Sequence, residues 1–146
     1  MTNASLQSQA ETYAACYAAL APHTLSDLSA LLAEDVLFVD PFNRLTGRAE
    51  MTAIFEKMFT QMTDPKFEIL DVVSGTNAAY LKWRMTGKVN AAPNMPFDII
   101  GMSEVTFNKA GLVTSHIDHW DSSSQLLSHL PYVGWMVRRI SRLFAH

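Results

Sequence analysis

The stretch FDIIGMSEVTFNKAGLVTSHIDHWD, residues 97–121, contains two runs of alternating apolar and polar residues on either side of a turn at 109–111. Alternation with a period of two is typical of strands that bury one face, and a short turn between such runs favours antiparallel pairing. Two similar runs precede it, KFEILDVVS at 66–74 and AAYLKWRMTGKV at 78–89. The sequence therefore predicts four consecutive antiparallel strands in the second half of the chain.

The first half has helical rather than strand periodicity. Apolar residues recur at helical spacing over 5–20, about 25–33 and 47–62, which predicts three helices. A short apolar strand at 36–40 ends at Pro41, and LPYVGWMVRRISRLFAH at 130–146 predicts a final helix. Helices followed by a meander indicate an α+β fold: a curved antiparallel sheet wrapped around the N-terminal helices, with an extra C-terminal helix. We expect residues 1–146 to form a single domain.

The composition is that of a globular, weakly acidic protein. Of 146 residues, 49% are hydrophobic and 17% are charged, and the formal net charge is −3. This balance gives no electrostatic reason to expect nucleic acid as a partner. The single cysteine, Cys16, excludes an internal disulfide and suits a reducing compartment. Because neither a signal peptide nor a membrane-spanning run is evident, we expect a cytoplasmic protein.

Strand alternation sorts the polar residues of the last run into two faces. His116, Asp118 and Trp120 share the face expected under the helices, whereas His119 and Asp121 point the other way. An aspartate two residues from a histidine can fix the imidazole tautomer and make it a competent acid or base. The other interpretation is a buried polar pair bonded to a helix residue such as Tyr13 or Tyr17. Because alternation separates the two His–Asp pairs, we expect no metal site.

The outward face of the predicted sheet carries both charge and apolar area. Lys82 and Arg84 on one strand could form ion pairs with Glu104 on the next. The apolar area on this face comes from Tyr80, Ile100, Met102 and Ile117. Such a mixed convex face favours a homodimer interface, and the alternative is a solvated surface.

The predicted elements contain three characteristic segments: VDPF at 39–42, GRAEMTAIFEKMF at 47–59 and VTFNKAGLVTSHIDHW at 105–120. Together with the order of the elements, these segments give the chain a resemblance to the SnoaL-like, nuclear-transport-factor-2-like superfamily. The resemblance implies a cone-shaped fold, in which a bent sheet surrounds helices and a blind apolar pocket, usually within a dimer. Members of the superfamily include ketosteroid isomerases, polyketide cyclases, dehydratases and proteins without known activity.

The resemblance also implies roles for individual residues. Asp40, followed by Pro41, occupies the place of the ketosteroid isomerase base, and Tyr17 matches its oxyanion-binding tyrosine. The second oxyanion donor of that enzyme, an aspartate, is replaced here by Ser103, whose hydroxyl is a weaker acid. Cyclases and dehydratases of the family place Asp and His on the pocket wall, and this arrangement resembles His116 and Asp118. For Asp40, the alternative is a local strand-end turn.

Large apolar side chains complete the predicted site. In a cone too large to fill, they would line a cavity for a small apolar molecule, and otherwise they are simple core. These residues are Phe42, Phe55, Phe59, Trp83, Met85 and Trp120. The predicted function is a metal-free and cofactor-free isomerase, dehydratase or cyclase that uses Asp and His as acid and base. The alternatives are a module that binds a lipid-like or polyketide-like ligand without turnover, and a membrane-surface accessory protein.

The tail at 131–146 supports the last alternative. Val133, Met136, Val137, Ile140, Leu143 and Phe144 form an apolar stripe, with arginines on the other side. This pattern is typical of a helix that lies on an anionic bilayer. It fits equally a helix that packs over the cone mouth or on a partner subunit. The stripe is no wider than a core-facing helix needs, which favours packing on protein.

Overall fold

In the computed structural model, which describes residues 3–145, five α-helices and six strands form the predicted α+β fold. The helices are α1 (Asn3–Ala18), α2 (Leu25–Ala30), α3 (Arg48–Gln61), α4 (Ser122–Gln125) and α5 (Val133–Ser141). The strands are β1 (Leu32–Val39), β2 (Arg44–Thr46), β3 (Met62–Ser74), β4 (Ala79–Val89), β5 (Asp98–Phe107) and β6 (Val113–His119). Short 3-10 turns lie at Pro22–Thr24 and Leu127–His129.

The strands form one curved sheet in the order β2-β1-β6-β5-β4-β3. The meander β3–β6 is antiparallel, as the sequence predicts. The expectation of a wholly antiparallel sheet is wrong at one place, because β6 pairs with β1 in parallel. The last strand of the meander returns to the centre of the sheet and fills the space between β5 and β1.

The boundary between α2 and β1 differs from the prediction. A helix was expected to about residue 33, but α2 ends at Ala30 and Leu32 already belongs to β1. The apolar run at this point is compatible with both periodicities, and long-range pairing decides between them. Leu32 pairs with Val113 of β6, whose N–H donates to the Leu31 carbonyl at 2.9 Å. The three-residue strand β2 was not predicted.

The core lies between the helices and the inner face of the sheet, and α1 packs on β3 and β4. Strand alternation predicts this face correctly in β4 and β5. The inward residues Leu81, Trp83, Ile99, Ser103 and Val105 are at most 5% exposed. Their neighbours Lys82, Arg84, Ile100 and Met102 are exposed. The inner face therefore collects the apolar side chains together with a few polar ones.

A bulge in β6 breaks the predicted alternation at its beginning. Val113 was expected on the outer face, but it is fully buried in the core. The β5–β6 register shifts between Thr106 and Phe107, so that Phe107 lies opposite Val113 and Thr106 lies opposite Ser115. Thr114 is the extra residue of the bulge. Beyond it, the predicted alternation returns and His116 faces inward, 1% exposed.

The outer face carries ion pairs that differ from the expected ones. Arg84 pairs with Asp98 rather than with Glu104, through its Nε at 2.7 Å from Asp98 Oδ1. Glu104 instead lies 3.7 Å from His119 Nε2. Ile100 and Met102 are exposed between these pairs. The homodimer through this face stays a prediction.

The final helix is shorter than predicted and does not cover the cone. It extends over Val133–Ser141, and His146 lies outside the described residues. It packs mainly against the 3-10 turn Leu127–His129. The expectation that it packs over the cone mouth is therefore wrong for the single chain, since its apolar side chains Met136 and Ile140 are each 51% exposed.

Candidate active site

A cavity of about 330 Å³ lies between α3 and the inner face of the sheet. Thirteen of its eighteen lining residues are apolar: Phe38, Phe42, Ile54, Phe55, Met58, Met62, Phe67, Trp83, Met85, Val89, Phe97, Ile99 and Trp120. The polar ones are Asp40, Asn43, Lys57, Gln61 and Asp118. A concave, mostly apolar space of this size, with a few polar groups, has the character of a small-molecule site.

The structure brings most of the predicted site residues to this cavity. The predicted residues on its wall are Asp40, Phe42, Phe55, Trp83, Met85, Asp118 and Trp120. Tyr17, Ser103 and His116 lie behind the wall, each at most 4% exposed. Phe59 does not line the cavity and packs against the core instead. The predicted site thus consists of two layers of side chains, one that lines the cavity and a buried polar one behind it, formed by Tyr17, Ser103 and His116.

Asp118 connects the two layers. Its side chain is 16% exposed, on the cavity wall. Behind it, Ser103 lies directly opposite in the β5–β6 register, and the Ser103 hydroxyl donates to Asp118 Oδ1 at 2.5 Å. Ser103 Oγ itself accepts from Trp83 Nε1 at 2.8 Å. Trp83 therefore fixes the serine hydroxyl so that its proton points at the carboxylate.

His116 holds the same carboxylate oxygen from its own strand. Its Nε2 lies 2.8 Å from Asp118 Oδ1, and its Nδ1 lies 3.0 Å from the Tyr13 hydroxyl of α1. Burial raises the pKa of Tyr13 well above its usual value, so that the phenol keeps its proton. The two contacts fit one chain of donors, in which the Tyr13 phenol donates to Nδ1 and the Nε2–H group of His116 donates to Asp118 Oδ1.

Both hydrogen bonds to Asp118 end on Oδ1. Among the residues that the structure describes, Oδ2 has no hydrogen-bond partner, and Asp118 borders the cavity. The structure shows the buried polar pair bonded to Tyr13, which was one of the two interpretations, and the catalytic role of His116 and Asp118 stays a prediction. His116 is a buried histidine with both ring nitrogens hydrogen-bonded, Nδ1 to Tyr13 and Nε2 to Asp118 Oδ1. The second of these bonds positions the Asp118 carboxylate and leaves Oδ2 available at the cavity.

Tyr17 lies beside this network without joining it. Its ring stacks on His116, with centroids 5.3 Å apart and planes 18° from parallel. Its hydroxyl is buried and makes no hydrogen bond of good geometry within residues 3–145, but it lies near enough to the Tyr13 hydroxyl for each to affect the pKa of the other. Burial raises the pKa of Tyr17 well above its usual value, and so it is also a phenol. The rings of Phe55 and Phe67, which line the cavity, pack against Tyr17 and separate it from the cavity wall. The oxyanion-binding role expected for Tyr17 stays a prediction.

Asp40 also borders the cavity, but its carboxylate is occupied by a turn. Oδ1 accepts from the backbone N–H groups of Phe42 and Asn43 at 2.7 and 2.6 Å. The Asn43 amide lies 3.0 Å from each Asp40 oxygen. This is the local turn that an Asp-Pro sequence favours. The general-base role expected for Asp40 stays a prediction.

Gly101 is a part of the site that the sequence analysis did not single out. It is buried directly opposite Trp83 in the β4–β5 register. A Cβ at this position would lie 2.5 Å from Trp83 Cη2 and 3.0 Å from Trp120 Cβ. The absent side chain lets the Trp83 indole lie across β5, where its N–H reaches Ser103. The signal available in the sequence was a glycine at an inward position of a strand.

Two features are absent from residues 3–145. No group of three or more His, Cys, Asp or Glu side chains is placed to hold a metal ion. In the same part of the chain, no helix has the length and apolar character needed to cross a membrane.

Sequence comparison identifies the family. The sequence model of the SnoaL-like domain matches residues 13–116, which include the end of α1, the helices α2 and α3, the strands β1–β5 and the first part of β6 up to His116. The chain belongs to the SnoaL-like family. The comparison with curated proteins gave no match.

Solved structures share the fold at low sequence identity. A Catenulispora acidiphila protein with a ketosteroid isomerase-like fold, solved with trimethylamine, has a TM-score of 0.70 and 20% identity over 87% of this chain and 95% of its own. A candidate polyketide cyclase from Xanthomonas campestris has a TM-score of 0.69 and 14% identity over 84% of this chain and 94% of its own. AclR, a candidate hydroxylase from Streptomyces galilaeus, has a TM-score of 0.67 and 16% identity over 92% of this chain and 98% of its own. At these identities the likeness shows the SnoaL-like cone fold.

Proposed function

We propose that this SnoaL-like protein is an acid–base enzyme that moves a proton on a small apolar carbonyl compound, with Asp118 as the base. The observation that carries the proposal is the asymmetric environment of the Asp118 carboxylate. Oδ1 is held by Ser103 and His116, whereas Oδ2 has no hydrogen-bond partner in the described part of the chain and the side chain lies on the cavity wall. A general base needs such a fixed carboxylate with one oxygen facing the substrate.

The proposed reaction class is isomerisation of a β,γ-unsaturated ketone. Asp118 Oδ2 takes a proton from the carbon between the carbonyl and the alkene, and the electron pair delocalises into a dienolate. The same carboxylic acid then returns the proton to the far alkene carbon, so that substrate and product have the same atoms. Removal of a proton next to a carbonyl is also the first step of many cyclisations and dehydrations.

The negative charge that develops on the substrate oxygen needs a donor. Three cavity-lining side chains can donate and make no side-chain hydrogen bond within residues 3–145: Lys57 and Gln61 of α3, and Trp120 through its indole N–H. Lys57 supplies a positive charge, which favours a dienolate over the neutral ketone. Ser103 and His116 are positioning residues in this scheme, because they act on the substrate only through Asp118.

The family and the fold support the proposal at a coarser level. Structural neighbours include proteins described as a candidate ketosteroid isomerase and a candidate polyketide cyclase. Both names describe chemistry on carbonyl compounds within the same type of cone. The choice of Asp118, rather than Asp40, rests on the hydrogen bonds of this chain.

The experiment is an exchange and isomerisation assay with a panel of bicyclic β,γ-unsaturated ketones in deuterated buffer. Wild-type protein should speed deuterium uptake at the carbon next to the carbonyl and the rise in absorbance of the conjugated product. Asp118→Asn should slow both by about 10²–10⁴-fold, the usual contribution of a general base. The matched control Asp40→Asn also removes a carboxylate from the cavity wall, and it should change the rate by less than about tenfold.

Two results would contradict the assignment. Asp118→Asn protein with wild-type exchange would exclude Asp118 as the base, and a large loss in Asp40→Asn alone would move the role to Asp40. Circular dichroism of both variants would show that the fold is retained.

A second candidate function is binding of an apolar ligand without turnover, which the thirteen apolar lining residues favour. In that case wild-type protein would bind a saturated ketone of the panel, and Asp118→Asn would keep the affinity while no exchange occurred in either protein.

A further inference from the structure

The C-terminal helix presents an apolar surface that no part of the described chain covers. We call this surface the tail stripe, and it consists of Val133, Met136, Ile140, Leu143 and Phe144. These residues are 39%, 51%, 51%, 78% and 81% exposed. The first three lie on one side of α5 and the last two follow its end. An exposed set of large apolar side chains at one end of a chain marks an interaction site.

The orientation of α5 is fixed by contacts on its other side. Gly134 is buried against the Ser128 carbonyl, where a Cβ would lie only 2.3 Å from the oxygen. One helical turn later, the Arg138 guanidinium donates to the same carbonyl. These two contacts attach the helix to the 3-10 turn Leu127–His129. The tail stripe therefore points away from the protein in a defined direction.

The charges next to the tail stripe are all positive. Arg138, Arg139 and Arg142 lie on α5 or at its C-terminal cap, and no Asp or Glu follows Asp121 in the sequence. None of the three arginines forms an ion pair within residues 3–145. The chain as a whole has a net charge of −3, whereas residues 122–146 contain three arginines and no Asp or Glu.

We propose that α5 is a peripheral membrane anchor that lies on an anionic lipid surface. The tail stripe would enter the boundary between headgroups and acyl chains, while Arg139 and Arg142 contact lipid phosphates. The charge distribution favours lipid over a second copy of this helix. If two copies packed with their tail stripes in contact, their arginines would approach one another and repel, because residues 122–146 contain no Asp or Glu to pair with them.

The test is flotation of the full chain with vesicles of phosphatidylcholine alone, or of phosphatidylcholine mixed equally with phosphatidylglycerol. The wild-type protein should float with the anionic vesicles, stay behind with the neutral ones, and dissociate from the anionic ones in high salt. Arg139→Gln combined with Arg142→Gln should lower the partition coefficient on anionic vesicles about fivefold for each charge removed. Met136→Ser combined with Ile140→Ser should lower it at least as much as the charge change.

A matched control exists on the sheet. Val73 and Ile100 are 52% and 47% exposed, close to Met136 and Ile140, but they lie on strands rather than on α5. Val73→Ser combined with Ile100→Ser should leave flotation unchanged. If this control loses flotation as the tail variant does, the sheet rather than α5 binds lipid and the proposal fails.

Two other outcomes would overturn the proposal. Equal flotation with neutral and anionic vesicles, or none with either, would contradict an anionic lipid surface as the partner. Light scattering of the wild type and the tail variant without lipid measures their oligomeric state. If the wild type is an oligomer that Met136→Ser with Ile140→Ser converts to a monomer, the tail stripe is covered by a second copy.

Discussion

Two carboxylates border the same cavity, and they are held in opposite ways. Asp40 receives its hydrogen bonds from Phe42 and Asn43, two and three residues further along the chain. Asp118 receives one from His116 of its own strand and one from Ser103 of the neighbouring strand. The first carboxylate closes a turn that its own sequence specifies. The second is held by an assembly that forms only when α1, β4, β5 and β6 have come together.

The difference favours Asp118 over Asp40 as the base of the proposed reaction. The turn uses both oxygens of Asp40, so that its hydrogen-bonding capacity serves the backbone around it. The network uses one oxygen of Asp118 and orients the other. A group that is fixed by distant partners, with one atom left free at a cavity, is typical of a functional site.

The largest effect on stability is expected when the centre of the assembled network is removed. His116→Ala takes partners from Tyr13 and Asp118, and it removes the ring that stacks on Tyr17. Because buried polar groups then lack hydrogen bonds and a cavity remains, the free energy of unfolding should fall by about 3 kcal/mol or more. Urea denaturation measures the change.

Asn43→Ala is the corresponding change at the Asp40 turn. It removes the side-chain amide that donates to Asp40 and keeps the hydrogen bond from the backbone N–H of residue 43 to Asp40 Oδ1. It should lower the free energy of unfolding by less than about 1 kcal/mol, since the groups are partly exposed to water. Equal losses in the two variants would show that the two carboxylates are held by comparable forces, and the comparison would fail.

A middle-sized effect should separate the two tyrosines of α1. Tyr13→Phe leaves His116 Nδ1 buried without a donor, which should cost about 1–3 kcal/mol of unfolding free energy. Tyr17→Phe removes a hydroxyl that makes no hydrogen bond of good geometry within residues 3–145, and so it should be neutral or stabilising. Urea denaturation of both variants gives the two values. A larger loss in Tyr17→Phe would mean that the Tyr17 hydroxyl is bonded in solution.

The smallest effect concerns Asp121, a third carboxylate that resembles Asp40 in its local partners. It caps α4, and hydrogen bonds from the Ser124 hydroxyl and the Ser124 and Ser123 backbone N–H groups lower its pKa. A lowered pKa in the folded state contributes stability that is present above the unfolded pKa of about 3.9. That contribution is lost as the pH falls through the lower, folded value.

Removal of this cap by Asp121→Ala should therefore cost about 1 kcal/mol or less near neutral pH. The difference in unfolding free energy between wild type and variant should shrink as the pH is lowered below about 3.9. Urea denaturation at a series of pH values measures it. A difference that grows towards acid would contradict the lowered pKa of Asp121.

Much of the fold could be predicted because its periodicities are local. The alternation of β4 and β5 placed Trp83 and Ser103 inside, and the spacing in β6 put His116 beside Asp118. The helical stripe of 47–62 likewise predicted α3 to within one residue at each end. Each of these conclusions needs only the pleat of a strand or the pitch of a helix.

The rest depends on contacts between distant parts of the chain. The bulge at Thr114 and the parallel pairing of β1 with β6 depend on which strands meet, and a single sequence does not state this. The choice of Tyr13 over Tyr17 as the partner of His116 depends on one turn of α1 and on its distance from the sheet. The free oxygen of Asp118 follows from the β5–β6 register that sets Ser103 opposite it.

The parallel pairing of β1 with β6 also has a consequence for biosynthesis. Among the strands of residues 3–145, β6 is the last to leave the ribosome, yet it occupies an interior position between β1 and β5. Until it is inserted, a nascent chain exposes two unpaired strand edges, which are the usual starting points of aggregation. Because β6 also carries His116 and Asp118, a chain that ends before it would lack both the closure of the sheet and the proposed base.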